Sequence, residues 1–477
     1  MKLKPVIAFG ILSLSLAVII ICTLIASKNA DLHTASLYIN LQTNTSLFTE
    51  IIKSLSNSQA LIILQVAIII ILARITGLLF KILGQPIVMG EIVAGLLLGP
   101  SVLGYYLPEM SHFLFPQSSL TNLQVLSNLG LLIFMFIVGV EFKLTGLKEE
   151  AKKIFVISYA SVIVPFIGGL ILAQTVLSNY IPINLSIFTF NLYIGVAISI
   201  TSFTVLARIM RDREITNTRL GSVVISCTAI NDLVAWCILA IIIASIKSGT
   251  GSLPSLTFIF VVVYVSIMFF IVKPILSNIL LNIKEKNSVF LVVFSTILLS
   301  SYISEVIGIH ILFGAFLSGI VMPNSAEFRC KIVEKLEQFS FVLLLPLYFA
   351  FTGLRTRIGL LNSYQVWFDC IIIILVSIIG KFFGTFLSAR IMGESTKTSL
   401  SIGILMNTRG LTELVVLNIG YDLGILSPQL FTIMIVMALF TTLITSPILT
   451  IINRIKDNIS IKQPADSSSL QQVISSP

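Results

Sequence analysis

The sequence predicts an all-α polytopic membrane protein, and three observations carry that reading. Of the 477 residues, 56% are hydrophobic and only 11% are charged, with a mean hydropathy of +1.04. A soluble chain carries roughly 25% charged residues, so this one has too little charge to cover a water-facing surface. Second, apolar runs of about 18–25 residues, enough to cross a ~30 Å hydrocarbon core, recur along the chain. Third, most Lys and Arg gather in alternate gaps between these runs.

Taken in order, an apolar run at 5–26 follows Met1-Lys2-Leu3-Lys4 and reads as a retained helix or a signal peptide. It is long for a signal h-region and lacks a good small-x-small cleavage site, which favours the helix. Residues 27–58 are polar. From 59 to 453 about thirteen spans are expected, at 59–80, 87–107, 123–142, 154–177, 187–208, 219–246, 254–275, 288–306, 308–323, 340–354, 367–392, 398–420 and 430–453. Residues 454–477 form a short, Ser-rich tail.

Orientation follows from the basic residues. One set of gaps holds Lys143, Lys148, Lys152 and Lys153, then Arg208, Arg211, Arg213 and Arg219, and later Lys284, Lys286, Arg329, Lys331, Lys335, Arg390, Lys397, Arg454, Lys456 and Lys462. The gaps 108–122, 178–186 and 421–429 hold none. The positive-inside rule places the first set and the tail in the cytoplasm and 27–58 outside. Arg355 and Arg357 fall on the outer side against the rule, which marks them as structural or functional. The net charge of +9 is thus a topology signal, not a nucleic-acid footprint. Five cysteines without a CxxC pair, and three histidines, suggest neither disulfides, a resident metal, a cofactor nor histidine chemistry.

A charge at the bilayer centre costs ~2.5–3.5 kcal/mol on insertion scales, so each needs a reason. Asp232 sits mid-span beside Asn231. It is either a structural carboxylate, paired or protonated, or a functional one that takes a cation or a proton in turn. Lys381, also mid-span, either snorkels to the interface or pairs with Asp232 and releases it when a cation arrives. Two spans carry helix-interrupting polar clusters: Ser199-Ile200-Thr201-Ser202-Phe203-Thr204, and Asn407-Thr408-Arg409-Gly410-Leu411-Thr412-Glu413. Ser and Thr there can simply bond the preceding turn. Breaks at the midplane also expose half-helix dipoles and carbonyls that coordinate ions. The breaks fall in the fifth and twelfth spans, and an offset of seven reverses topology, as inverted repeats require. Arg409 and Glu413 can pair at i, i+4. Glu91 and Glu141 read as interfacial, Asp369 as solvated at the mouth of its span, and His310 as a bland turn residue.

These motifs resemble the monovalent cation:proton antiporter family 2, which includes Kef-type transporters and plant CHX exchangers. The stretches are QPIVMGEIVAGLLLGPSVLG (85–104), LGLLIFMFIVGVEF (129–142), the run from Ala197 to Asp232, GIHILFGAFLSGIVMP (308–323), LLLPLYFAFTGLRT (343–356) and NTRGLTELVVLNIG (407–420). The resemblance implies two inverted repeats, two crossed discontinuous helices, a core domain moving against a dimerisation domain, and a homodimer. It implies that Asp232 carries the ion or proton with Asn231 beside it, that Lys381 is the buried core lysine, and that Thr201 is a polar residue of the first break. Ser202, Thr204, Asn407, Thr408, Arg409 and Glu413 would support the crossing. Two departures stand out. Thr204 occupies a position where the family often has proline, and Asn231 replaces the first of two aspartates found in electrogenic relatives. An amide carries no proton, so a mechanism using both acids for two protons is unavailable; Lys381 remains a second candidate proton carrier, so the stoichiometry stays open with a lean to electroneutral exchange.

The expected function is therefore exchange of K⁺ or Na⁺ for H⁺ across a bilayer, in a bacterial cell membrane by the compactness of the loops. The rival is a gated channel of the same fold. An intramembrane enzyme has no GxSG with a matched histidine, HExxH or paired-aspartate motif behind it, and a sensor lacks an output domain.

Overall fold

A computed structural model describes residues 58–141, 150–183, 185–215, 218–247, 254–283, 286–323 and 333–454. The expected helix at 5–26, the segment 27–57 and the tail from 455 lie outside these residues. Every described element is helical, as hydrocarbon demands of a chain whose backbone groups must find partners within the segment.

The helices are α1 (Ser58–Ile82), α2 (Ile87–Leu98), α3 (Gln117–Glu141), α4 (Ala151–Gln174), α5 (Ile187–Ser199), α6 (Phe203–Asp212), α7 (Arg219–Lys247) and α8 (Pro254–Ile267, continued by Lys273–Asn282). They continue with α9 (Lys286–Ile307), α10 (Ile311–Ile320), α11 (Leu345–Arg355), α12 (Tyr364–Ile391), α13 (Thr396–Leu405), α14 (Leu411–Asp422) and α15 (Pro428–Arg454). Among the described residues, 11 stretches are long and apolar enough to cross a membrane. The other two expected spans are the short helix α10 and the pair α13/α14, neither of which holds an unbroken run of that length.

Packing follows the expected repeat. Helix α2 packs on α11 and α3 on α10; α1 packs on α2 and α9 on α10; α4 packs on α5 and α12 on α13; α4 packs on α12. Shifting the partners by seven spans turns one pair of each of the first three couples into the other and maps α4 with α12 onto itself. This is the pattern of two six-span inverted repeats joined by α8. Two bundles result: α1–α3 with α9–α11, and α4–α7 with α12–α15.

Within the first bundle the close approaches are made by glycine. A Cβ on Gly139 of α3 would strike the Phe316 carbonyl of α10, and one on Gly319 would strike the Phe136 carbonyl. Small residues at such crossings let helix backbones touch, since lipid supplies no hydrophobic drive between helices. Gly139→Val must push backbone against backbone. It is expected to cost on the order of 1–3 kcal/mol or more, read as a lower melting temperature in detergent.

Candidate functional site

The second bundle holds the two interrupted helices. α5 stops at Ser199 and α6 starts at Phe203, with Ile200 (φ −66°, ψ 143°) and Ser202 (φ −86°, ψ 110°) extended between them. α13 stops at Leu405 and α14 starts at Leu411. The two breaks lie against one another. Ser202 N–H donates to the Thr408 carbonyl at 3.0 Å, and the Thr201 hydroxyl donates to the Met406 carbonyl at 3.0 Å. Gly410 is needed for this approach, because a Cβ there would overlap the Val205 side chain. Thr408 Oγ1 caps its own helix end through the Leu405 carbonyl at 2.7 Å, and Ser202 Oγ lies 3.3 Å from Thr204 Oγ1.

A broken helix leaves orphan carbonyls at one end and orphan N–H groups at the other, with partial charges to match. The carbonyl end of α5 is met by two cations. Arg409 Nη1 donates to Ala197 O at 2.9 Å, and Nη2 donates to Ile198 O and to Ser377 Oγ. Lys381 Nζ donates to Ser199 O. Arg409 also pairs with Glu413 at 3.1 Å, both side chains fully buried, which is the expected i, i+4 pair. The Arg409 backbone is fixed through Thr442, whose hydroxyl accepts from its N–H at 3.0 Å and donates to its carbonyl at 2.8 Å.

The N–H ends point elsewhere. Asp232, 3% exposed, stands where α6 and α14 begin. Its Oδ2 lies 3.5 Å from the Thr412 hydroxyl, and the Phe203 amide faces the carboxylate. Helix N-termini favour an anion. Among the described residues, Asp232 Oδ1 has no hydrogen-bond partner. The hydrogen-bond network turns the Asn231 amide so that Nδ2 donates to the Cys227 and Ser158 carbonyls at 3.2 Å each, while Oδ1 accepts from Ser161 Oγ at 2.7 Å. That face of the amide lies 3.5 Å from Thr201 Oγ1. Asn407 Oδ1 is another buried acceptor without a described partner.

Several expectations need correction. Lys381 interacts with Asp232 through space, but the described residues contain no ion pair between them; the carbonyl end of α5 competes successfully for the ammonium. Nor does Lys381 snorkel, being fully buried at its head and stem. Asp369 is not solvated. It is 4% exposed and accepts from Tyr180 at 2.9 Å and from Gln365 at 3.0 Å. Burial, with the Asp369 bond second, pushes the Tyr180 phenol up to about 12, so it remains a donor. Glu91 is buried in the second turn of α2 and interacts electrostatically with Arg208 and Arg74. The chain of Glu141 ends α3 as expected, and its side chain lies outside the described set. His310 caps α10, accepting from Leu312 N–H at 3.4 Å. Thr412, Ser161, Ser377 and Thr442 escape sequence reading. Thr412 alone carried a signal, its place in the second polar cluster.

Crossed discontinuous helices around a buried carboxylate define a class, the secondary ion transporters built from inverted repeats. The comparisons place the chain more narrowly. The family model for the sodium/hydrogen exchanger, transmembrane, matches residues 67–454. The Na⁺/H⁺ antiporter NhaS4 of Synechocystis is 38% identical over 82% of this chain and 97% of its own. Cation/H⁺ antiporter 19 of Arabidopsis thaliana is 39% identical over 82% of this chain and 49% of its own. K⁺/H⁺ antiporter 1 of Saccharomyces cerevisiae is 30% identical over 82% of this chain and 46% of its own. The chain thus spans about half the length of these plant and yeast relatives. The solved structure of the sodium proton antiporter MjNhaP1 from Methanocaldococcus jannaschii shares the fold, with a TM-score of 0.63 at 16% identity over 82% of this chain and 96% of that one. The chain belongs to the sodium/hydrogen exchanger family of cation:proton antiporters, and it is an integral multi-pass membrane protein.

Proposed function

We propose that the protein exchanges K⁺ or Na⁺ for H⁺ by alternating access, with Asp232 as the group that takes one or the other. The single observation behind this is the Asp232 carboxylate itself: buried, set at the start of two half-helices, and with Oδ1 left without a described partner. Ionised Asp232 plus a monovalent cation is neutral, and protonated Asp232 is neutral too. The bare carboxylate is not, and a charge is costly to carry through the membrane interior. Both loaded forms can therefore cross while the empty form is held back, which couples the two fluxes one to one.

Thr201 retains hydroxyl lone pairs and Asn231 presents Oδ1 toward it, so both stand as oxygen ligands for a dehydrated cation. Ser202, Thr204, Asn407 and Thr408 hold the crossing. Lys381 and Arg409 neutralise the carbonyl end of α5, and Glu413 anchors Arg409. With Asn231 unable to titrate and Lys381 engaged, exchange is electroneutral. The bundle of α4–α7 and α12–α15 moves against the other, which also offers the surface for a homodimer in a bacterial cell membrane.

The test uses everted vesicles acidified inside and a ΔpH-sensitive dye. Adding K⁺ or Na⁺ should reverse the quench, and clamping the potential with valinomycin should leave the rate unchanged for Na⁺. Cation flux without any pH change would instead support the channel reading, which the naming of the relatives as antiporters disfavours.

A further inference from the structure

The end of α14 away from Asp232 makes a second arrangement that the exchange reading does not use. Asp422 closes that helix, on the face poor in Lys and Arg, which the positive-inside count assigns to the outside. Arg355, the last residue of α11 in the other bundle, reaches across to it. Its Nη2 lies 2.5 Å from Asp422 Oδ1 and its Nη1 lies 3.2 Å from Asn418 Oδ1. The guanidinium also sits over the rings of Phe351 (4.8 Å) and Tyr421 (5.1 Å). Gln124 of α3 bonds the other Asp422 oxygen at 3.1 Å. Asn418 donates back to Tyr348 at 3.1 Å and to Thr352 at 2.9 Å.

We propose that Asp422 and Asn418 form an outer seat for the transported monovalent cation, which the Arg355 guanidinium fills while the outer path is shut. This rests on the exchange reading above. A carboxylate, an amide oxygen and aromatic faces are a set of ligands for any cation, and the carbonyl end of α14 adds negative potential to the same spot. The contacts of the guanidinium with Asp422, Asn418 and Tyr421 all cross between the bundles, while Phe351 travels with it on α11, so separating the bundles withdraws the arginine and bares the oxygens together. Asp422 is 39% exposed and Arg355 17%, so the pair is water-accessible and can part without stranding a charge in a dry interior. An open cavity of about 750 Å³ on this face, bounded by Tyr180, Ile183, Tyr421, Ser427 and Gln429, reaches the Tyr421 side of the seat. The seat and Asp232 lie at opposite ends of one half-helix, because Thr412 at its start bonds Asp232.

Right-side-out and everted vesicles, assayed with Na⁺ and K⁺ and the ΔpH dye, read half-saturation at each face separately. Arg355→Ala removes the tethered competitor and is expected to lower half-saturation at the Arg355 face several-fold while leaving the opposite face unmoved. External guanidinium should reverse that gain. Asp422→Asn is expected to raise half-saturation at the same face several-fold, and Asp422→Glu should restore part of it. If the contact is only a staple, both alanine and asparagine variants lower melting temperature or maximal rate with half-saturation at that face unchanged, and the seat is refuted. Should Asp422→Asn fail to insert, Arg355→Ala with guanidinium decides alone. Absence of any cation-driven pH change in the parent protein refutes the exchange reading, and this seat with it.

Discussion

Asp232→Asn is expected to abolish cation-driven proton movement in vesicles, to below about 1% of the parent rate, without loss of folded protein. The substitution keeps size and shape and removes the buried carboxylate that stands where α6 and α14 begin, while Glu413, the other acid near the crossing, stays committed to Arg409. An amide neither titrates nor balances a cation, so both loaded forms of the carrier vanish together. Stability should hold or rise, because a buried carboxylate bears a desolvation cost that an amide does not. The amide can still meet the Thr412 hydroxyl. A detergent melting curve beside the dye assay separates the two effects: an unshifted melt with a dead transporter supports the role. Persistent exchange in the Asn variant would take Asp232 out of the mechanism. Asp232→Glu keeps the charge but adds a methylene to a site 3% exposed. Overpacking of that kind costs typically 1–3 kcal/mol, so a slowed exchanger with altered cation preference is expected.

Depth in the membrane is legible in this sequence, and direction around a helix is not. Runs of apolar residues and the alternation of Lys and Arg locate the spans, 11 of them long and apolar enough to cross a membrane among the described residues, because both depend on distance along the chain. The two polar clusters reveal the broken helices for the same reason: a local run of Ser, Thr and Asn has to be satisfied somewhere, whatever surrounds it. Partners are a different matter. Lys381 and Ser199 are 182 residues apart, and nothing local says that the ammonium meets a carbonyl at the end of α5 in preference to the Asp232 carboxylate. Asp369 near a span end looks water-facing until the loop residue Tyr180, 189 positions away, is found covering it. Asn418 looks like an ordinary helix residue until α11 supplies Tyr348, Thr352 and Arg355 around it. In each case the missing quantity is a contact between helices, which the hydrophobic pattern leaves open because a span buried on several sides is apolar nearly all round.

The other large effect is expected at Arg409. Its guanidinium is fully buried and serves Ala197 and Ile198 carbonyls, the Ser377 hydroxyl and the Glu413 carboxylate together. Arg409→Met leaves Glu413 as a buried charge without its partner and returns two α5 carbonyls to an apolar interior. Breaking a buried pair from one side costs about 3–5 kcal/mol, which is a large share of the stability of an ordinary fold. Much less folded protein should survive extraction, with a markedly lower melting temperature. Arg409→Lys should rescue little, since one ammonium cannot reach in the directions that a planar five-donor fork serves. Adding Glu413→Gln to Arg409→Met removes the stranded charge but not the orphan carbonyls, so the double variant should recover part of the loss. The double-mutant cycle of melting free energies should therefore show a coupling of several kcal/mol between the two sites. A coupling near zero would mean that Arg409 acts on the carbonyl end of α5 alone, and that Glu413 contributes little to holding it there.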